Sequence, residues 1–261
     1  TMSNIQTMEI GEFSNGTLRP TLQFSSTLLY ANLRNWKALI ITLGMPILML
    51  LGFWLPTLGG DEESLELMSI MFPAIILLSV IMPGLTQATR LTRWREQRIF
   101  QRIAQTPVPL ATLMVGAALS HIVSGVGQGL VTLFFGIFIV GLNLTWQSAL
   151  LVLVFMILAG AAFVAFGSFV AALNRKSDIA GYIFFFAIMP LIFLASFPPD
   201  MMPESVNAMI PWLPTALAFE LIGPLFLFNK LTSDALFAGL GLLLYTIIFA
   251  AISARRFRLE A

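Results

Sequence analysis

The sequence contains no cysteine, and only one of its 261 residues is a histidine. The first absence excludes a disulfide framework, a thiol nucleophile and a thiolate metal site. The lone His121 has no acid within its own apolar run, and no pair of carboxylates falls inside any apolar run, so enzyme chemistry lacks its parts. No Gly-Lys-Ser/Thr string ends a phosphate-binding loop, so no ATP site of that kind is written in this sequence. Charge is scarce too. Asp, Glu, Lys and Arg make up 10% of the residues, against about 25% in ordinary soluble domains. The net charge of +1 gives no reason to expect a nucleic-acid partner. The first 37 residues show no basic start followed by an apolar core, so no cleavable signal peptide is read there.

What replaces the charge is apolar mass: 58% of the residues are hydrophobic and the mean hydropathy is +0.90. That much apolar surface points to an integral membrane protein. A helix needs about 20 mostly apolar residues to cross a bilayer, and six runs qualify, near 38–58, 67–88, 110–140, 147–173, 179–197 and 235–254. The expectation is an all-α fold, with residues 1–17 as a flexible N-terminus and 18–261 as one membrane domain.

The linkers orient the spans. Arg19, Arg34 and Lys37 precede the first span, and Arg90, Arg93, Arg95, Arg98 and Arg102 lie between the second and third. Arg175 and Lys176 lie between the fourth and fifth, and Arg255, Arg256 and Arg258 end the sixth. With six alternating spans all of these share one side, and of the 14 basic residues only Lys230 falls opposite. The positive-inside rule then places both termini in the cytoplasm, N-in and C-in.

The stretch LTRWREQRIFQRIAQTPVP, Leu91 to Pro109, concentrates this charge. Each Arg at a helix centre costs about 2.5–3.5 kcal/mol on insertion scales, so the stretch stays out of the membrane interior. Leu91, Trp94, Ile99, Phe100 and Ile103 can share one helical face with arginines on the rest, and Pro107 and Pro109 punctuate the end. The pattern predicts a short basic amphipathic helix with Trp94 and Phe100 as aromatic knobs. It either lies on anionic lipid or docks a soluble partner, for which Arg, Trp and Phe are interface composition.

Here the sequence resembles the permease subunit of type-2 ATP-binding-cassette exporters. That family carries, between its second and third spans, an Arg-Glu or Glu-Arg pair, a basic-apolar helix and a Thr-Pro; this chain has Arg95-Glu96, Arg98-Ile99-Phe100-Gln101-Arg102-Ile103 and Thr106-Pro107. The family often has Gly after its charged pair, and Gln97 stands here instead. The resemblance implies a coupling helix (Arg93, Trp94, Arg95, Glu96, Arg98, Ile99, Phe100, Arg102, Thr106, Pro107) that docks a separate nucleotide-binding ATPase subunit, where ATP and magnesium would bind. It also implies an amphipathic interfacial helix over Leu18 to Lys37, with Leu22, Leu29, Leu33 and Trp36 at helical spacing, and re-entrant external helices over Pro203 to Phe228. The expected setting is a bacterial or archaeal cytoplasmic membrane, with the chain paired as a homodimer or with a second permease.

A few polar residues fall inside or beside the spans. His121 and Gln128 of the third span, Phe185 of the fifth and Glu220 before the sixth are candidates for a translocation path. For each a plainer reading stands beside it: a helix–helix hydrogen bond for His121, a polar contact for Gln128, lipid contact for Phe185, and an interfacial carboxylate for Glu220. Gly116, Ser120 and Ser124, and Gly125 with Gly129, recur every four residues and read as packing. Few ionisable groups in the spans suit a hydrophobic or amphipathic cargo such as a drug, antibiotic or lipid. With three Tyr and five Trp, an aromatic sugar-binding tunnel is the weaker alternative, together with an ATP-independent transporter.

Overall fold

A computed structural model describes residues 15–59, 62–103, 105, 109–142, 144–196 and 203–258. Among these residues every regular element is helical. The order is α1 (Asn15–Arg34), α2 (Trp36–Thr57), α3 (Glu62–Glu96), α4 (Ile99–Ile103), α5 (Leu110–Phe135), α6 (Trp146–Leu173), α7 (Ser177–Ser196), α8 (Glu204–Asn207), α9 (Pro214–Phe228) and α10 (Ala235–Arg258). A π-turn, Gly136–Val140, extends α5 and ends at Gly141, whose φ of +79° suits a residue without a Cβ.

By length and composition, four segments can cross a membrane: Ile70–Glu96, Leu110–Val140, Trp146–Leu173 and Ala235–Phe257. A fifth arises if Glu204–Trp212 and Pro214–Phe228, bent by 81° at their junction, count as one broken span. The first and fifth expected spans correspond to shorter apolar stretches, Thr42–Thr57 and Ser177–Ile192, among the described residues. The bend lies where the proline-punctuated re-entrant helices are expected. Pro214 opens α9 at a position where its missing N–H leaves no helical bond unmade.

α3 is the hub. It packs against α2, α5, α6, α7 and α9, and Phe72, Ile75, Ile76, Val80 and Ile81 along it are buried. In lipid, apolar side chains gain little by leaving the solvent, so close backbone approach and cross-helix hydrogen bonds carry the packing. Both occur here. A Cβ on Gly167 of α6 would collide with the carbonyl oxygen of Gly84 in α3, and one on Gly84 would collide with that of Phe163. The Ser79 and Thr132 hydroxyls lie 2.9 Å apart between α3 and α5, and Gln87 Nε2 donates to Ser168 Oγ at 3.1 Å between α3 and α6. The four-residue repeats of α5 pack as expected. Gly116 faces Phe24 and Thr21 of α1, while Gly125 and Gly129 face Pro83 and Val80 of α3.

In α1 the side that meets protein is the one carrying Thr21 and Phe24, which face Gly116 of α5. Thr21 is buried, while Leu22 and Leu33 are 59% and 56% exposed. Leucine directed outward is at home against lipid tails, so helical spacing alone does not say which side meets protein.

Candidate functional site

The basic stretch is not one helix. α3 has 35 residues and is thus about 52 Å long, well beyond the roughly 30 Å hydrocarbon core. It therefore runs through Arg90, Arg93, Arg95 and Glu96 without a break. The break comes at Gln97-Arg98, where Arg98 takes a left-handed φ of +53°. Helices commonly end on such a residue, usually glycine; here Arg98 takes glycine's part. The side chain of Arg102 closes the turn by donating to the Gln97 carbonyl at 2.6 Å. Only Ile99–Ile103 forms the separate short helix α4. Thr106 and Pro107 lie outside the described residues.

Two side chains tie this corner together. Arg95 Nη1 donates to the carbonyls of Ala171 at 3.0 Å and Asn174 at 2.7 Å, capping the C-terminal end of α6. Glu96 accepts the Ser177 backbone N–H at 2.7 Å and the Ser177 hydroxyl at 3.1 Å, capping the start of α7. Each charge matches the helix dipole it meets, the cation at a C-terminus and the anion at an N-terminus. The Arg95 guanidinium also lies 4.7 Å from the centre of the Phe257 ring of α10.

The aromatic knobs turn inward. Phe100 is 7% exposed and meets Phe257 edge-on at 5.5 Å, while half-buried Trp94 bridges Phe100 and Phe24, each at 6.2 Å. The outward face at this end is polar instead. A cleft of about 510 Å³ is lined by Arg95, Glu96, Arg98, Gln101 and Arg175. Arg93 and Arg102 are also exposed, and Ile99 is half-buried.

The path candidates separate. His121 and Gln128 line one cavity of about 490 Å³ between α1, α2, α3 and α5, with Arg90 and Asn32 beside them. Glu220, half-buried on α9, lines another of about 570 Å³ at the far end of the bundle, near Asn207 and Asp234. Phe185 lines neither; it meets Phe186 edge-on at 5.8 Å. Arg90 is the residue that sequence reasoning left out of the path, since its charge placed it with the loop. Its Nη2 in fact donates to Asn32 Oδ1 across to α1.

The arrangement is a helical membrane domain with a basic corner clamped to several helix ends. Residues 25–227, from within α1 through most of α9, match the family model described as "ABC-2 type transporter". The chain belongs to this family. The family resemblance drawn on Arg95-Glu96 and the helix after it is thereby borne out. The chain is similar to Nodulation protein J of Rhizobium leguminosarum bv. viciae, at 27% identity over 172 residues, covering 64% of this chain and 64% of that protein.

Proposed function

We propose that the permease is the membrane half of an ATP-driven exporter, powered by a separate nucleotide-binding subunit that holds ATP and magnesium. The observation that carries this reading is the corner at the end of α3. The turn after α3 and the short helix α4 present Arg98, Gln101 and Arg102 outward, while Arg95 and Glu96 join this corner to the ends of α6 and α7. A partner that moves α4 therefore moves helix ends rather than a slack loop. In this reading six segments cross the membrane, both termini are cytoplasmic as the distribution of arginine favours, and two permeases, identical or related, share the work. ATP moves the spans only by the difference in its affinity for the two arrangements. The membrane is a bacterial or archaeal cytoplasmic membrane.

The test is co-purification with a nucleotide-binding ATPase subunit expressed together with the chain. Arg98→Glu combined with Arg102→Glu reverses charge on the outward face without touching buried Phe100. Loss of the ATPase from a normally inserted permease supports docking there; full retention places docking elsewhere.

The cargo in this reading is an amphipathic molecule, such as a drug, antibiotic or lipid, because the cavity around His121 mixes Leu29, Leu43 and Val131 with polar side chains. A glycolipid or polysaccharide cargo is the second reading, favoured by the hydrogen-bonding groups of Arg90, Gln128 and Asn32 in the same wall. ATPase stimulation of the reconstituted complex by drugs, lipids and glycans separates the two.

A further inference from the structure

The cavity between α1, α2, α3 and α5 holds three buried polar atoms that find no hydrogen-bond partner among the described residues: Arg90 Nη1, His121 Nε2 and Gln128 Oε1. His121 is 2% exposed and Gln128 is 8% exposed. Buried polar groups are nearly always satisfied, and a buried charge most of all. Among the described residues no Asp or Glu lines the cavity, so no carboxylate in its wall balances the guanidinium, whose Nη2 is held by Asn32 Oδ1 while Nη1 is left over. Its volume of about 490 Å³ falls within the roughly 300–1,000 Å³ of ordinary ligand sites.

The three atoms are arranged along the bundle. Pro83 of α3 faces Gly125 of α5. Helix rise then sets Arg90 a few ångströms nearer the basic end than His121, and Gln128 about 10 Å beyond His121 in the other direction. The rest of the wall mixes apolar Leu29, Leu43, Val123 and Val131 with the hydroxyls of Thr42, Thr86 and Ser124. Val123 and Leu33, both more than half exposed, lie on the rim, so the cavity is open from the side of the bundle.

Gly127 adds an independent observation. Its neighbours Gly125 and Gly129 are filled against α3 and Met156, but a Cβ at Gly127 would meet nothing within 4 Å, and Gly127 lines the cavity. Helix packing does not require glycine there, and a side chain added at this position would have open space to occupy.

We infer that this cavity binds an anionic amphiphile that carries a hydroxyl or amide N–H within its apolar part. Its anionic group, phosphate or carboxylate, takes Arg90 Nη1, in the charge-assisted bonding that guanidinium favours. Gln128 Oε1 accepts only, so it selects a donor deeper in the molecule. His121 Nε2 meets a hydroxyl in either tautomer, because a hydroxyl both donates and accepts. This binding deepens the cargo reading of the same cavity and rests on it, but it is read without ATP or the ATPase subunit, so its failure is distinct from a failure of ATPase docking.

The full-length permease, purified in neutral detergent in its native assembly, is titrated with three lipids of equal chain length and read by native mass spectrometry. Ceramide 1-phosphate offers both anion and donor, phosphatidic acid the anion alone, and ceramide the donors alone. Ceramide 1-phosphate is retained best, by roughly tenfold over ceramide, the scale of one hydrogen bond to a charged group, and by roughly fivefold over phosphatidic acid, the scale of a neutral one. Arg90→Gln erases its advantage over ceramide, and Arg90→Lys keeps it. Gln128→Leu erases its advantage over phosphatidic acid. Gly127→Leu fills the cavity from an open position and lowers retention of all three with an unchanged melting temperature. Equal retention of ceramide and ceramide 1-phosphate by the parent overturns the inference, as does an unchanged order in the Arg90→Gln or Gln128→Leu variant. So does thermal protection by inorganic phosphate alone equal to that of ceramide 1-phosphate. Conversion of a dimer to a monomer by Gly127→Leu would instead seat a second copy on this face and overturn it too.

Discussion

The Glu96 carboxylate holds Ser177 twice, at the backbone N–H and at the hydroxyl, across 81 positions of sequence. It is the N-terminal cap of α7, supplied from another helix. Glu96→Ala lowers stability by about 1 kcal/mol, the usual cost of losing such a cap, and thermal unfolding in detergent measures it. Ser177→Ala removes the hydroxyl bond alone, so in the Glu96→Ala background it adds little. Strict additivity of the two would show that they do not act on one contact.

Arg98 occupies the left-handed region at a cost of about 1 kcal/mol for a residue with a Cβ. Arg98→Gly therefore melts at or above the parent temperature even though a charge is lost. Arg98→Val, β-branched and poorly suited to positive φ, melts lower. If glycine and valine behave alike, the turn at Gln97-Arg98 is not left-handed.

Gly167 and Gly160 of α6 give a paired test of the α3 crossing. A methyl on Gly167 would collide with the Gly84 carbonyl, whereas one on Gly160 makes an ordinary contact with Val80 at 3.4 Å. Gly167→Ala costs about 1–3 kcal/mol by forcing the helices apart, and Gly160→Ala changes stability by about 0.5 kcal/mol or less. Unfolding in a denaturing detergent series ranks the two.

Phe257 is 2% exposed and meets both Phe100 and Arg95. Phe257→Ala costs about 3–5 kcal/mol if the space left behind does not collapse. Phe257→Tyr keeps the ring and preserves most of the stability. A small loss in the alanine variant would mean that α10 is not anchored at this corner.

Four of the six expected spans and the place of the basic corner were legible because apolar runs and arginine placement answer to a single solvent rule, the exclusion of charge from lipid. What lay beyond reach depends on which helices become neighbours. Arg95 and Glu96 stood out as a charged pair, but the carbonyls and the N–H they cap are about 80 positions away, and no local pattern marks them. Phe100 fits an amphipathic face equally well turned outward or inward; Phe257 decides it. The helix break falls between two polar residues with no glycine or proline to announce it. His121 and Gln128 were visible as polar residues within an apolar span. Arg90 was not visible as their companion, because the continuation of α3 past the expected end of its span is what brings it to the cavity.

The crossing of α3 over α6 has a mechanical consequence. Pro83 deprives α3 of one backbone hydrogen bond beside Gly84, the residue whose backbone touches Gly167. A weakened point of the rod and its point of close backbone support thus coincide. A tilt imposed on the segment ending at Glu96 can be taken up by flexure at this pivot, leaving the half that begins near Pro73 seated, or carried through it as a seesaw that opens one end of the bundle as the other closes.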